Sequence, residues 1–453
     1  MSEAKLTWTI WQGLLNAFAW AFTRRGFHRF AEWITALALN VEEHTITQSV
    51  LALDQPAAWK ALESFAEYGS WHEHRVTRTL TRLVATAPGQ IWHGYHVSAV
   101  DDTKVHRSSP HVWGTCTFHE YTARCPNRAT TVRAHNWVIL GDLLYEPEKP
   151  GWFLPISGQL YFRKSQLPLG PNGIVQFRTK CELAVELLRE QACRIKDKYL
   201  AVFDGGYALR SVVRPLILPT DGQPRIHFLT RLRRDAQLFE LPLPLDEYPA
   251  GKPGPKPKWG QRLEPPCRGD QWKTTWHNGI AFVYGRQRMI RWKEMVCLWH
   301  VLGWEVPVKV IVASVEGYKE QFNLVTSAVE LTGLQMVELF AARFREECTF
   351  ENSKQFLGLE DPANRLPKAV ARTAPMALFL YTLVVVWFHK TGHQFLRFPD
   401  RPWYTKKEEP SFADMLTTLR RVSYEEKNPP LPSNHNRLKT RIAQITELLS
   451  RTG

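Results

Sequence analysis

The sequence contains few cysteines, and they form no recognisable pattern. Seven cysteines occur among 453 residues, and no two of them have the spacing of a Cys-x-x-Cys motif. A small, odd and scattered set predicts neither a disulfide framework nor a structural zinc site. We therefore expect the chain to fold without cross-links in a reducing compartment, the cytoplasm or the nucleoid.

An apolar stretch long enough to cross a bilayer is also missing. The two candidates, residues 13–22 and 376–388, are shorter than the roughly 20 residues that a spanning helix needs. The first candidate also lacks the leading basic region of a signal peptide. The sequence thus predicts no membrane partner, and residues 376–388 are expected to form a buried helix or strand.

Acidic residues are fewer than basic ones. The chain has 44 Asp and Glu against 58 Lys and Arg, which gives a net charge of +14 and an isoelectric point near 9.5. Such an excess favours a polyanionic partner, most often nucleic acid, although a protein that is merely basic remains the alternative. Hydrophobic residues (44%) and aromatic residues (12%) are frequent enough for a folded core, which excludes a disordered chain.

The pattern along the chain predicts five successive parts. Residues 1–90 have apolar residues at helical spacing and are expected to form a helical DNA-binding domain. Residues 91–240 follow the order β-β-β-α-β-α-β, which predicts the first part of an α/β catalytic core. The remaining parts are a β-rich insertion at 241–305, the second part of the core at 306–400 and a helical tail at 401–453.

A basic, turn-rich stretch, YPAGKPGPKPKWGQR, lies at residues 248–262. Its prolines and glycines exclude regular structure. Its lysines, Lys252, Lys256 and Lys258, are placed to follow a phosphate backbone, so we predict that they contact DNA. An exposed linker without a binding role is the alternative.

A helix is predicted between Thr332 and Gly358. Thr332 and Gln335 have the spacing of a capping box, Gly358 is a typical C-terminal stop, and residues 334–357 contain neither glycine nor proline. Positions three, four and seven apart share one helix face, and one such stripe carries both cations and carboxylates. Its members are Phe340, Arg343, Glu347, Glu351 and Lys354. Taken alone, this stripe is typical of a solvated face with one weak arginine–glutamate pair.

Acids elsewhere in the chain favour a catalytic role for this stripe. One of Asp101 and Asp102 follows the apolar run YHVSAV, Asp204 follows the run YLAVF, and Glu347 lies on the predicted helix. Two divalent cations about 3.5–4 Å apart need carboxylates on rigid elements, which strand ends and a packed helix supply. Hard oxygen ligands suit Mg²⁺ or Mn²⁺. Each aspartate alone is compatible with an ordinary turn after a strand, whereas the three acids together favour a metal-dependent nuclease.

These motifs resemble those of bacterial insertion-sequence transposases of the DDE superfamily. One group in that superfamily has a Tyr-(2)-Arg-(3)-Glu-(6)-Lys signature, and Phe340, Arg343, Glu347 and Lys354 match its spacing. Phe340 departs from it by lacking a hydroxyl. AVDDT resembles the motif of the first aspartate, and VFDGGY resembles that of the second. The resemblance covers about residues 95–390. It implies an α/β fold with a ribonuclease-H-like mixed sheet, a β-rich insertion and a helical N-terminal domain.

The resemblance also implies which acids are catalytic. Asp101, Asp204 and Glu347 would hold two Mg²⁺ or Mn²⁺ ions. Asp101 is preferred over Asp102 because the family motif places the catalytic acid directly after the apolar run. Strand alternation alone leaves that choice open, since adjacent residues face opposite sides of a sheet.

The same resemblance places the other stripe residues beside the scissile strand. Arg343 and Lys354, with Phe340, are implied to contact DNA, and cations there suit a polyanionic substrate. Glu346 and Glu351 are expected to be supporting or solvated residues.

The implied function is cut-and-paste DNA transposition. The protein would bind the terminal inverted repeats of its element as a homodimer on paired ends. It would cleave a strand at each end and join the 3′-hydroxyls to target DNA, with the insertion supporting a hairpin intermediate. Two alternatives remain open at this stage, a domesticated DNA-binding regulator that does not cleave and a ribonuclease-H-like nuclease that does not transpose.

Overall fold

One mixed sheet organises the part of the chain that the structure describes. The computed structural model describes residues 3–53, 58–120, 130–170, 173–220, 222–244, 256–398 and 407–427. Lys252 and most of the predicted tail lie outside these residues. Helices cover both faces of the sheet, so the predicted α/β class is confirmed.

The strands follow the chain in fourteen segments within the described residues. They are β1 (Ile91–Trp92), β2 (Tyr95–His106), β3 (Cys116–His119), β4 (Thr131–Leu144), β5 (Trp152–Tyr161), β6 (Leu169–Gly170), β7 (Gly173–Ile174), β8 (Tyr199–Phe203), β9 (His227–Arg231), β10 (Leu238–Phe239), β11 (His277–Val283), β12 (Arg286–Trp299), β13 (Val308–Val315) and β14 (Phe322–Thr326). Twelve of them form the main sheet, whose central order is β10-β12-β13-β14-β9-β8-β2-β4-β3. β8 is parallel to both β2 and β9, and the other pairs are antiparallel.

The helices are α1 (Glu3–Asn16), α2 (Arg24–Leu39), α3 (Ile46–Ser49), α4 (Trp59–Tyr68), α5 (Glu73–Val84), α6 (Lys180–Ala192), α7 (Arg210–Ile217), α8 (Gly333–Ala342), α9 (Arg345–Leu357), α10 (Pro367–Lys390) and α11 (Phe412–Lys427). The two helices in the element order predicted for residues 91–240 are confirmed as α6 and α7. The helical character of residues 1–90 is confirmed for the described part by α1 to α5.

The two faces of the sheet have separate hydrophobic cores. α1 to α5 and α8 to α11 pack on one face, which we call the α9 face, and their core includes Val97, Ala99 and Val105 of β2. α6 and α7 pack on the other face, which we call the α6 face, and their core includes Val100. This alternation follows from the two-residue period of a strand. It decides towards which helices each acid of β2 points.

The strand that carries the first acids extends beyond them. The sequence pattern predicted that Asp101 and Asp102 end a short strand, but β2 continues to His106. The reason is β4, which pairs with β2 from Ser98 to His106. The parallel partner β8, in contrast, reaches only Val100, so the acids lie where the parallel pairing ends.

The strands of the predicted insertion join the main sheet. β11 pairs with β12, β12 pairs with β13, and β14 pairs with β9 beside β8. A turn at Tyr284 and Gly285 connects β11 to β12, and both residues have positive φ, as in the two-residue turns that favour glycine. The domain boundaries themselves stay a prediction.

A buried helix accounts for the most apolar segment. Residues 376–388 belong to α10, which is long and apolar enough to cross a membrane, but 89% of its most apolar window is buried inside the protein. Thr382 of this helix donates a hydrogen bond to the carbonyl of Pro155 in β5 at 2.6 Å. Residues 376–388 are therefore buried, as expected, and of the two expected forms, helix or strand, they adopt the helix.

Candidate active site

The register of two neighbouring strands brings the first two predicted acids together. β2 and β8 are parallel, and Val100 is paired with Phe203. The next residues are Asp101 and Asp204, which therefore lie level on strands about 4.8 Å apart. Asp204 directly follows β8, is exposed, and accepts a hydrogen bond from the backbone N–H of Gly205 at 2.6 Å.

Asp101 and Asp102 lie on opposite faces of the sheet. Asp101 is on the α9 face, where its Oδ2 lies 3.3 Å from Nη1 of Arg343. Asp102 is on the α6 face, and its carboxylate accepts hydrogen bonds from Lys180 at 2.6 Å, Asn136 at 3.0 Å and Tyr207 at 3.3 Å. The two acids thus have different partners, and Asp101 is the one that meets the helix carrying Glu347.

The environment of Asp101 favours its neutral form. Burial raises the pKa of its carboxyl to about 6; Arg343 opposes this rise, and the nearby carboxylates of Asp102 and Asp204 reinforce it. Two carboxylates that share a site resist being charged together unless a cation compensates them. The pair formed by Asp101 and Asp204 therefore has an incompletely compensated negative charge.

The predicted single helix at 334–357 is interrupted within the signature. Thr332 and Gln335 form the predicted capping box, and Gly358 ends the segment in the left-handed conformation, so both ends are confirmed. Between them, α8 ends at Ala342 and α9 begins at Arg345. At the interruption the backbone makes tighter i→i−3 hydrogen bonds, from Phe344 to Ala341 and from Glu346 to Arg343.

The interruption places Arg343 among several carboxylates. Its Nη1 contacts Asp101 and Glu346 at 3.3 Å each, and its Nη2 lies 3.6 Å from Oε1 of Glu347. Its side chain is only 13% exposed. Burial works against its charge, but Glu346, Asp101, Asp204 and Glu347 together raise the pKa of Arg343. The guanidinium is the cation that compensates this acidic centre in the structure.

The other stripe residues have separate surroundings. Lys354 donates a hydrogen bond to the carbonyl of Lys104 at 2.8 Å and pairs with Glu360 at 3.2 Å, so it lies further along β2 than the acids. Phe340 is 7% exposed, and its ring lies 5.6 Å from the guanidinium carbon of Arg343. Phe340 thus packs against the arginine instead of presenting a free surface.

The described lysines of the basic stretch lie apart from the acidic centre. Lys258 is exposed and stacks over Trp304 at 4.4 Å. Trp304 connects β12 to β13, and several strands separate β12 from β2 in the sheet order. Lys256 is also exposed, and Lys252 lies outside the described residues.

Sequence reasoning missed the position of Glu346. The buried residues of α9 are Glu346, Thr349, Phe350, Ser353 and Leu357, which follow helical spacing and face the core. Glu346 is fully buried, whereas the side chain of Glu347 is 50% exposed. The apolar residues Phe350 and Leu357 were the signal for this stripe in the sequence. Glu346 precedes them by four and eleven residues, which are intervals that place side chains on the same face of a helix.

The carboxylates of this centre are chemically suited to a hard divalent cation. Nη1 of the Arg343 guanidinium contacts two of them, Asp101 and Glu346. Carboxylate oxygens on a strand, a strand end and a helix are the donors that Mg²⁺ and Mn²⁺ prefer. One oxygen of Glu346 is buried without a hydrogen-bond partner among the described residues. In the described ranges, no group of three or more His, Cys, Asp or Glu side chains has the mutual spacing of a metal site. The donors are thus present, and in the structure they lie around the guanidinium of Arg343.

Comparison with known proteins gives one family. The sequence model of a family described as DDE superfamily endonuclease matches residues 17–296, which is more than half of the chain. The matched range contains Asp101 and Asp204 and ends before α9. The expected ribonuclease-H-like α/β fold agrees with this family. No curated protein matches the sequence.

Proposed function

Because the chain belongs to a family of DDE superfamily endonucleases, we propose that it is a DNA transposase. It binds the ends of its element, cleaves phosphodiester bonds there and joins the resulting 3′-hydroxyl ends to target DNA. The observation that carries this proposal is the parallel register of β2 and β8, which sets Asp101 and Asp204 side by side below α9.

The metal-binding residues in this proposal are Asp101, Asp204 and Glu347, which hold two Mg²⁺ or Mn²⁺ ions. When bound, such ions activate the attacking hydroxyl or water and stabilise the leaving oxygen of the phosphodiester. The protein contributes rigidity, because one acid lies within a paired strand, one directly follows a strand and one lies on a packed helix.

Arg343 and Lys354 position the DNA strand in this proposal. Arg343 lies between α8 and α9, and Lys354 lies in α9. Both cations lie beside β2, Arg343 at Asp101 and Lys354 at the carbonyl of Lys104. A phosphate group offers a guanidinium shorter, bidentate hydrogen bonds than the contacts of 3.3–3.6 Å that Arg343 makes with Asp101, Glu346 and Glu347. An incoming DNA strand can therefore compete for Arg343.

The helical N-terminal region supplies a basic surface for the element ends. Trp20 is partly exposed, and the guanidinium groups of Arg75 and Arg82 on α5 lie 5.2 Å and 5.7 Å from its ring. Cations held at an aromatic ring suit contact with phosphates and bases. The exposed Lys256 and Lys258 extend the basic surface, and the net charge of +14 supports a DNA partner throughout.

The proposal also includes the oligomeric state of the protein and its location in the cell. Element ends are paired in cut-and-paste transposition, so we propose a homodimer on paired ends. The substrate is chromosomal DNA, so we propose that the protein acts in the bacterial cytoplasm, at the nucleoid.

The test is a cleavage and joining assay with purified full-length protein. The substrate is a DNA fragment carrying the inverted repeats that flank the coding sequence, and the reaction contains Mg²⁺ and a target plasmid. The wild type should cleave the repeat ends and join them to the plasmid. Asp204→Asn should abolish both steps while leaving end binding largely intact, because the change removes a metal ligand without altering the basic surface. Asp235→Asn, at an exposed aspartate paired with Arg233, is the matched control and should behave as wild type.

The outcomes separate the proposal from its alternatives. Cleavage without joining would favour a nuclease that does not transpose. Specific binding of the repeats without cleavage by the wild type would favour a DNA-binding regulator. Full cleavage by Asp204→Asn would contradict the proposed metal site.

A further inference from the structure

The least explained group in the acidic centre is the carboxylate of Glu346. It is fully buried, yet the predicted third ligand next to it, Glu347, is half exposed. Oε2 of Glu346 contacts Arg343, whereas Oε1 has no hydrogen-bond partner among the described residues. Burying a carboxylate with an unsatisfied oxygen is costly, so such an arrangement requires a compensating role.

The unsatisfied carboxylate lies beside the catalytic strand. Asp101 and Glu346 each place an oxygen 3.3 Å from the same atom, Nη1 of Arg343. These two oxygens therefore lie no further apart than twice that distance. Glu347 instead approaches the other terminal nitrogen, Nη2, at 3.6 Å. Glu346 and Asp101 thus contact the same nitrogen of Arg343, whereas Glu347 contacts a different one.

Acidic side chains outnumber cationic ones around Arg343 in the described part of the centre. Four carboxylates, those of Asp101, Asp204, Glu346 and Glu347, surround one guanidinium. Carboxylate oxygens are the donors that Mg²⁺ and Mn²⁺ prefer. The side chains of this centre therefore suit a divalent cation as well as a guanidinium.

We propose that Glu346 is a fourth carboxylate of the metal centre and ligates a divalent cation together with Asp101 in exchange for Arg343. This inference rests on the proposed function, because it assumes that the centre binds metal. Arg343 contacts Asp101 and Glu346 in the structure and would be displaced by a divalent cation that these two residues held. The released guanidinium is then available to a DNA phosphate, so metal binding and strand positioning are coupled through one side chain.

Mn²⁺ binding to the full-length protein without DNA tests this inference. Free Mn²⁺ is measured by electron paramagnetic resonance during titration of the wild type, Glu346→Gln and Glu346→Leu. Both variants should bind Mn²⁺ at least about tenfold more weakly than the wild type, which corresponds to about 1.4 kcal/mol. Glu351→Gln, at an exposed position of the same helix, is the matched control and should bind as the wild type does. Melting in EDTA confirms folding, and the leucine variant fits the buried stripe that Glu346 occupies.

The results distinguish this inference from the proposed function. If the glutamine and leucine variants bind Mn²⁺ as tightly as the wild type while Asp204→Asn binds weakly, Glu346 is not a ligand and the metal site still stands. If the variants keep Mn²⁺ affinity but lose affinity for DNA, Glu346 acts through Arg343, and the inference is wrong. If the wild type neither binds Mn²⁺ nor cleaves DNA with it, both the inference and the proposed function fail.

Discussion

Replacing Asp101 by asparagine should stabilise the metal-free protein, although the same change removes a proposed metal ligand. The folded protein holds the carboxyl of Asp101 with a pKa of about 6, against an ordinary value of 3.8, because burial outweighs the contact with Arg343. A raised pKa means that the ionised carboxylate is less favourable in the folded state than in the unfolded chain. Asparagine has nearly the same shape and carries no charge.

The magnitude follows from this pKa difference. A difference of about 2 corresponds to about 3 kcal/mol at neutral pH, since each pKa unit is worth about 1.4 kcal/mol. The cost of Asp101 is absent below about pH 4, develops as the pH rises from about 4 to 6, and is complete above that range. The gain in stability of Asp101→Asn should therefore be about 3 kcal/mol near pH 7.5 and should vanish near pH 4.

Urea unfolding in EDTA measures this gain, and the neighbouring acid provides the control. Asp102→Asn should destabilise the protein by about 1.5–3 kcal/mol, because Asp102 accepts charged and neutral hydrogen bonds. Its donors are Lys180, Asn136 and Tyr207. Adjacent aspartates on opposite faces of one strand should thus respond to the same substitution with opposite signs.

Two results would refute this reasoning. One is a lower urea midpoint for Asp101→Asn than for the wild type near neutral pH. The other is an equal response of Asp101 and Asp102, which would mean that the two faces of β2 do not differ as described. A change in the slope of the unfolding transition would instead indicate an altered unfolded state and would call for a second probe.

Two other predictions concern stability away from the acidic centre. Asp142→Asn breaks the buried ion pair with His96, whose atoms lie 2.9 Å apart, and should cost about 3–5 kcal/mol in urea unfolding; an unchanged midpoint would contradict the role of this pair. Burial alone would lower the pKa of His96, but the carboxylate of Asp142 outweighs burial and raises it. The stabilisation that the ion pair provides is therefore complete below about pH 6.5 and is lost as the pH rises through the pKa of His96 in the folded protein. Gly358→Ala should lower the free energy of unfolding by more than about 1 kcal/mol, because φ is +60° and a Cβ would lie 2.3 Å from Cβ of His44. A lower melting temperature would show this loss, and an alanine variant as stable as the wild type would show that the turn can relax.

Features set by local signals were predictable from the sequence. The capping box at Thr332 and the stop at Gly358 depend on neighbouring residues alone, and both are present. α11 lies within residues 401–453, for which the sequence predicted a helical tail. Parts of the tail at 401–406 and 428–453 lie outside the described residues.

Features set by distant partners were not predictable. β2 extends past Asp101 because β4 pairs with it, and the sequence of β2 contains no sign of that partner. The choice between Asp101 and Asp102 likewise depends on which helices cover each face. Only the position of α9 on one face and of α6 on the other separates the two acids.

The sequence contains no helix-breaking residue that would predict the interruption between α8 and α9. The segment contains neither glycine nor proline, and its residues favour a continuous helix. Contacts of Arg343 with Asp101 and of Arg345 with the carbonyl of Pro150 lie on either side of the interruption. Tertiary contacts of this kind can override helix propensity.

Anomalous scattering from Mn²⁺ in crystals of the full-length protein tests the central claim most directly. The claim is that Asp101, Asp204 and Glu347 hold the divalent cations that support DNA cleavage. Two Mn²⁺ peaks in contact with these carboxylates, and their loss in Asp204→Asn, are the predicted result. Mn²⁺ peaks elsewhere in a protein that cleaves DNA with Mn²⁺ would contradict the account.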